Sequence, residues 1–499
     1  MPQAGHCGSM SACRRAVGVA RSQRDCAAVA DDPSSPGELT PEQAAATMAS
    51  RRYIVLLIIV SIVGVVVSLA TWGYLELIHQ ITQELYTHLP NALGYQHGPP
   101  VGWPLPILAI AGVLVALAII HLPGNGGHIP AMGLAAGRPT TPVELPGVLL
   151  AGLAGISFGI VLGPEAPLLA LGPGLAVLMV GLARRDTPPQ ALMLIGAAGA
   201  FAAVSFLFVS PLVAAVLMIE ATGIGGARLP LVVVPGLLAA GIGTLLAIGL
   251  GSWTGLNRSA IALGPLHGLP AFGHPTVAQF GWAIALALAV AIIARIIMRG
   301  GLMTHRVATP RPLLVLPVVG LIVAGLAIAF SQATDKSVNE VLFSGESGLS
   351  GLVSGAGTWS LSALGLLIAF KGLAYCVSLG SFRGGPTFPA VFLGAAGGIL
   401  ASHLPGFSLT PAVAVGMGAA TAAVLKLPLS AIVLATLLTS PAGTGQEPLI
   451  IVGVVAAYLV ALVMSAPSGE PASEKMSAAA APRTDAPADG RSTVRERPA

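Results

Sequence analysis

GPEAPLLALG, residues 163–172, sets an acid between two prolines in one of the most apolar regions of the chain. GPTFPAVFLG, residues 385–394, repeats its frame, G-P-x-x-P-x-x-x-x-G. With 63 Gly and 40 Pro in 499 residues, such a match arises by chance with a probability on the order of 10⁻⁴ per position. A second pair follows at a similar distance. PLVAAVL at 211–217 and PLSAIVL at 428–434 share P-L-x-A-x-V-L. The order is kept, so the apolar part reads as two homologous halves, 51–270 and 271–466. Duplication of this kind predicts a transporter or channel architecture with its site where the halves meet.

Composition sets the class. The chain is 55% hydrophobic and 9% charged, against about 25% charged residues in an ordinary soluble domain. Its long stretches are apolar all round, which predicts an all-α polytopic membrane protein, multi-pass in the cell membrane. The net charge of +4 sits in tails and loops, and no basic helix with interleaved aromatics points to nucleic acid. Arg14, Arg15, Arg21, Arg24, Arg51 and Arg52 precede the first span, and Arg295, Arg299, Arg306 and Arg311 surround a central loop. Both segments read as cytoplasmic by the positive-inside rule. Residues 1–50 and 467–499 are polar, Ala-rich and charged, and are expected to be disordered tails. Cys7, Cys13, Cys26 and Cys376 match no common zinc spacing, so no metal or cofactor is expected. The first apolar run begins near Tyr53, so no cleavable signal peptide is expected.

The apolar segments near 53–78, 105–122, 146–162, 167–183, 191–222, 229–251, 277–298, 312–331, 360–380, 388–404, 411–440 and 448–465 have uneven lengths. Several fall short of the roughly 20 residues a crossing takes. Others, such as 191–222, are too long for one crossing and carry Gly or Pro inside. Broken helices that stop part-way through the membrane are therefore expected, lining an interior cavity.

Proline suits the first turn of a helix and discourages helix before it. GPEAP therefore puts Glu165 at or near a helix start inside the membrane. Such a start carries free N–H groups and roughly half a positive charge. The turn at 385–389 builds a second start, with neutral Thr387 in the place of Glu165. Two starts facing one cavity make a pocket suited to a small anion. Glu165 then has two available roles. It can be a helix cap, or a tethered anion that fills the pocket when ionised and vacates it when protonated or swung aside.

These residues resemble the CLC chloride channel and transporter family over nearly all of 51–466. The family's G-S-G-I-P, G-x-E-G-P and G-x-F-x-P motifs are similar to GGHIP at 126–130, GPEAP at 163–167 and GPTFP at 385–389. PLVAAVLMIE at 211–220 and LKLPLSAIVL at 425–434 look like its paired helices. The resemblance implies two inverted repeats of tilted, broken helices, a homodimer, and one anion pathway per subunit with chloride as the bound substrate. It implies Glu165 as the gate and Gly127, His128, Ile129, Gly163, Ala166, Thr387 and Phe388 as the anion-binding set.

The sequence departs from the family in four places. Gly127 stands where a serine hydroxyl is usual, followed by His128. The family's central tyrosine falls near Ala442 and is missing, leaving Thr439, Ser440 or Thr444 as substitute donors. Thr387 stands where an aromatic is usual. Ala221 occupies the position of the proton-relaying glutamate found in exchangers, directly after Glu220. Glu220 is expected to pair with Lys371, Arg383 or Lys426, or else to lie on a proton path. With Ala221 in that position, passive conduction is expected ahead of proton-coupled chloride or fluoride exchange. A non-conducting member remains the eroded-motif alternative. An intramembrane enzyme is not expected, since no H-E-x-x-H and no aspartate pair occurs in the spans.

Overall fold

The computed structural model describes residues 40–96, 98–134, 140–183, 187–254 and 263–465, with side chains of 251–254 left aside. Most of both tails, with Cys7, Cys13, Cys26 and the first four arginines, lies outside these residues. The described residues are helical apart from loops and one isolated bridge. After α1 (Pro41–Met48) come α2 (Arg51–Ala92), α3 (Pro104–His121) and α4 (Leu145–Ile156). Next are α5 (Glu165–Ala183), α6 (Pro189–Phe208), α7 (Pro211–Thr222) and α8 (Leu229–Thr254). Then come α9 (Val277–Ala308), α10 (Pro312–Thr334), α11 (Glu346–Ser354) and α12 (Leu361–Ser381). α13 (Thr387–Ala401), α14 (Leu409–Leu425), α15 (Pro428–Thr439) and α16 (Glu447–Val463) complete the chain.

Among the described residues, eight helices are long and apolar enough to cross a membrane, and six further apolar helices are shorter, at 10–17 residues. The chain is thus an all-helical, multi-pass membrane protein. The expected breaks occur. The run 191–222 splits at Val209, which adopts φ +50 between α6 and α7. The run 411–440 splits at Lys426, φ +59, between α14 and α15. In each case a proline starts the next helix, where its missing N–H costs nothing. Two expectations need correcting. The segment 146–162 leaves the helix after Ile156 and passes through turns, with Gly159 at φ +106, before Glu165. The segment 277–298 continues as helix to Ala308, so Arg295, Arg299 and Arg306 lie on a helix rather than in a loop. Arg295 and Arg299 donate to the carbonyl of Met464 (3.3 and 2.7 Å), tying α9 to the end of α16.

Faces follow the bilayer as solvent. On α2, Ile54, Ile58 and Ile62 are exposed while Val60, Val63 and Val67 are buried. The first stripe suits lipid, the second the protein interior. Three buried hydroxyls are satisfied locally: Ser68, Ser378 and Thr421 each donate to the carbonyl four residues back. An unpaired hydroxyl inside the bilayer would be costly.

The last glycine of each repeated motif has a packing role. A methyl on Gly172 would strike the carbonyl of Gly199, and one on Gly199 would strike that of Gly172. Gly394 and Gly416 stand in the same mutual relation. Helix α5, which begins at Glu165, thus meets α6 backbone to backbone, as α13 meets α14. Small residues permit this approach, and dispersion over the close contact holds it. GAAGAFAAV and GLLAAGIGTLLAIGLG are spent in the same way, inside one chain. A methyl on Gly243 would meet the Ala202 carbonyl, and Ser205 donates to the Ala240 carbonyl (2.7 Å).

Candidate functional site

The two motifs cross. Gly163 N–H donates to the Gly385 carbonyl (2.8 Å) and Gly385 N–H to the Gly163 carbonyl (2.6 Å), a two-residue antiparallel bridge. The bridge brings Pro164 and Pro386 side by side, so α5 and α13 begin at one place. Neither glycine tolerates a side chain there, because a methyl on either would run into the Glu165 carboxylate. The Tyr375 hydroxyl donates to the Pro386 carbonyl (2.6 Å) and holds the second turn from behind.

Glu165 is the first residue of α5 and is buried, 3% exposed. Its Oε1 accepts from the Phe388 N–H (2.9 Å), in the first turn of α13. The carboxylate therefore caps the start of α13. Its Oε2 is buried without a hydrogen-bond partner, as is the Thr387 hydroxyl oxygen. The Phe388 ring packs on Phe208 (centroids 5.6 Å apart), closing one side.

The other expected residues are distributed as follows. Thr387 and Phe388 lie at the site, and Ala166 follows Glu165 in the first turn of α5. Gly163 lies there too, but its N–H is used in the bridge, so it is no free anion donor. Gly127, His128 and Ile129 sit in the loop between α3 and α4, on the side of Arg383. His128 is exposed, and its Nε2 lies 3.0 Å from the Gly133 carbonyl. The substitute donors for the missing tyrosine are occupied or outside. Thr439 donates to Ala435 and receives Gln446, Ser440 donates to Leu437, and Thr444 is exposed.

Glu220 pairs with none of Lys371, Arg383 or Lys426. Its carboxylate accepts from Leu429 N–H (2.9 Å), Ser430 N–H (2.8 Å) and the Ser430 hydroxyl (2.7 Å). It caps the start of α15, so one P-L-x-A-x-V-L helix caps its twin. Free N–H groups at a helix start explain why an acid is kept there without a cation.

Sequence reasoning missed Glu346. It begins α11, near Glu165. The residue is partly exposed along its stem, yet its Oε1 is buried and unpartnered. Burial first, and the Glu165 charge second, push its carboxyl well above the usual carboxylate range. The loop before it is clamped by Lys371, which is fully buried on α12. The Lys371 ammonium lies within donor range of four successive carbonyls, those of Glu340 (2.9 Å), Val341 (3.2 Å), Leu342 (3.0 Å) and Phe343 (3.3 Å). It also sits 4.5 Å over the Phe392 ring. FSGESG reads as a polar loop, and only the crossing of motifs makes it a neighbour of Glu165.

Relatives agree with this architecture. Residues 111–462 match the voltage gated chloride channel family. The putative ion-transport protein YfeO of Escherichia coli is 30% identical over 360 residues, covering 69% of this chain and 78% of that protein. Its namesake in Salmonella typhimurium is 28% identical over 365 residues, covering 70% and 81%. Among solved structures, a slow cyanobacterial Cl⁻/H⁺ antiporter superposes with TM-score 0.66 at 19% identity, covering 82% of this chain and 95% of that one. A CLC-type fluoride/proton antiporter superposes with TM-score 0.60 at 16% identity over the same shares. With its two crossed helix starts, this chain is an ion-transport protein, not an enzyme, and belongs to the voltage gated chloride channel family.

Proposed function

We propose that the protein moves a small inorganic anion, chloride first, along a pathway that Glu165 opens and closes. The observation that carries this reading is the 2.9 Å bond from Phe388 N–H to Glu165 Oε1. An ionised carboxylate there occupies an amide that a mobile anion of the same charge would take. A protonated or rotated Glu165 frees that amide, and the helix start then offers its N–H groups and dipole to the ion. The test is flux of chloride and of fluoride from liposomes across pH 5–8, wild type against Glu165→Gln.

Coupling to protons has an observation on each side. Ala221 removes the usual relay acid and favours passive conduction. Glu346 supplies a second carboxyl near Glu165, one that burial and the Glu165 charge hold above the usual carboxylate range, and favours exchange of anion for proton. We give the second reading the greater weight, since a proton passed between Glu346 and Glu165 never leaves a buried carboxyl pair. Proton uptake driven uphill by an outward chloride gradient is expected, and its absence with intact anion flux returns the reading to a passive channel. We also infer a homodimer with one pathway in each subunit. The internal packing of the small-residue runs leaves that inference on the family resemblance, and mass photometry in nanodiscs tests it.

A further inference from the structure

Residues 277–294 of α9 carry no charge, and Arg295 and Arg299 follow, one turn apart. At 1.5 Å per residue the uncharged run covers about 27 Å, close to the roughly 30 Å hydrocarbon layer of a bilayer. The two arginines therefore stand at the edge of that layer. Ile292 and Ile296 are exposed, 45% and 63%, and lie three residues before Arg295 and Arg299, on the same side of the helix. The face that carries the arginines thus continues into a face that suits acyl chains.

Both guanidiniums turn to one acceptor. Nη2 of Arg295 (3.3 Å) and Nη2 of Arg299 (2.7 Å) donate to the Met464 carbonyl at the end of α16. One carbonyl cannot neutralise two cations. Their Nη1 groups have no acceptor among the described residues, and the Arg295 Nε is buried without one. Lys426, exposed in the break between α14 and α15, is a third cation, close enough for the Arg295 charge to act on it. No ion pair among the described residues involves any of the three. The Glu220 carboxylate, which reaches Leu429 and Ser430, spends both its oxygens on the start of α15. Converging like charges raise one another's energy unless an anion joins them.

We propose that Arg295, Arg299 and Lys426 form a headgroup site for an anionic phospholipid, with its phosphodiester among the three cations and an acyl chain along Ile292 and Ile296. A guanidinium presents its N–H groups in a fixed plane that matches phosphate oxygens. Each cation at the membrane surface adds to the attraction of an anionic lipid. The bound lipid ties α9, the break between α14 and α15, and the end of α16 together at one edge of the bilayer. The inference is independent of what the pathway carries. A free inorganic anion, or a carboxylate from elsewhere in this chain, is the alternative.

The test places the purified full chain in nanodiscs of phosphatidylcholine, alone or mixed with phosphatidylglycerol, and counts retained lipids by native mass spectrometry. Wild type should retain phosphatidylglycerol over phosphatidylcholine, and phosphatidylglycerol should raise its thermal midpoint. Arg299→Gln and Lys426→Asn should each lower that preference about fivefold, with Arg299→Lys keeping more of it than Arg299→Gln. Asparagine suits the left-handed backbone at Lys426, φ +59, so the exposed charge is removed without disturbing the turn. Equal lipid preference in wild type and in folded Arg299→Gln and Lys426→Asn overturns the site. Sodium phosphate added to phosphatidylcholine discs should leave the midpoint unchanged. A rise equal to that from phosphatidylglycerol assigns the cations to a free anion and overturns the proposal. A fall in midpoint on Arg299→Gln that is the same with and without phosphatidylglycerol points to a counter-charge within the protein, and overturns it as well. Should Arg299→Gln fail to fold, Lys426→Asn and Arg299→Lys decide by the same lipid ratio.

Discussion

Replacing Glu165 with glutamine removes the charge and keeps the shape. The wild-type carboxylate holds the Phe388 N–H at 2.9 Å, in a site closed by Phe388 and Phe208. A hydrogen bond to a charged acceptor contributes about 1.5–3 kcal/mol, and one to a neutral acceptor about 1 kcal/mol. The glutamine should therefore hold the amide about 1–2 kcal/mol less firmly, which lowers its occupancy of the anion's place by roughly 5- to 30-fold. Its hold cannot change with pH, since it does not titrate. Chloride efflux from liposomes at pH 8 should rise toward the value wild type reaches at low pH, and the profile should flatten from pH 5 to 8. A Glu165→Gln protein that keeps the wild-type pH profile, while folded, would refute the assignment of the gate. A flat wild-type profile would refute it as well.

Other outcomes follow from the packing and the second carboxyl. Gly394→Ala and Gly172→Ala should each lower stability by about 1–3 kcal/mol through overpacking, read as a fall in thermal midpoint. The two should fall alike, because the two glycines make the same contact in each half. Glu346 has its folded pKa raised, so its stabilising contribution is full below the unfolded value of about 4.3 and declines as pH rises through the folded value. Glu346→Gln should remove that part of the pH dependence of thermal unfolding and abolish proton uptake, with anion flux retained. Glu220→Ala should cost about 0.5–2 kcal/mol through the lost cap on α15. It should leave the proton-to-anion ratio unchanged, since all three hydrogen bonds of its carboxylate go to the helix start.

Local sequence carried much of the fold. A proline that cannot donate, a glycine that permits a turn and an apolar run after both define a helix start wherever they occur, so Pro164, Pro211, Pro386 and Pro428 each mark one. The repeated frame also marked the two starts that meet. Boundaries were less legible where the chain stays apolar yet leaves the helix, as at 157–164, because turns that close their own hydrogen bonds, with Gly163 paired across a bridge, are as content in an apolar interior as helix is.

Polar partners were the least legible. Glu220 looks like half of an ion pair and turns out to cap a helix, because free amides satisfy a carboxylate as well as a cation does. Lys371 looks like the other half and instead gathers four carbonyls. Glu346 carries no local mark at all. Its importance comes from lying near Glu165, far away along the chain. The order of amino acids dictates where helices start, break and pack closely, since those depend on neighbours within a turn or two. Which buried charge faces which amide depends on how the two motifs cross, and electrostatics in a dry interior acts through distance in space, not along the chain.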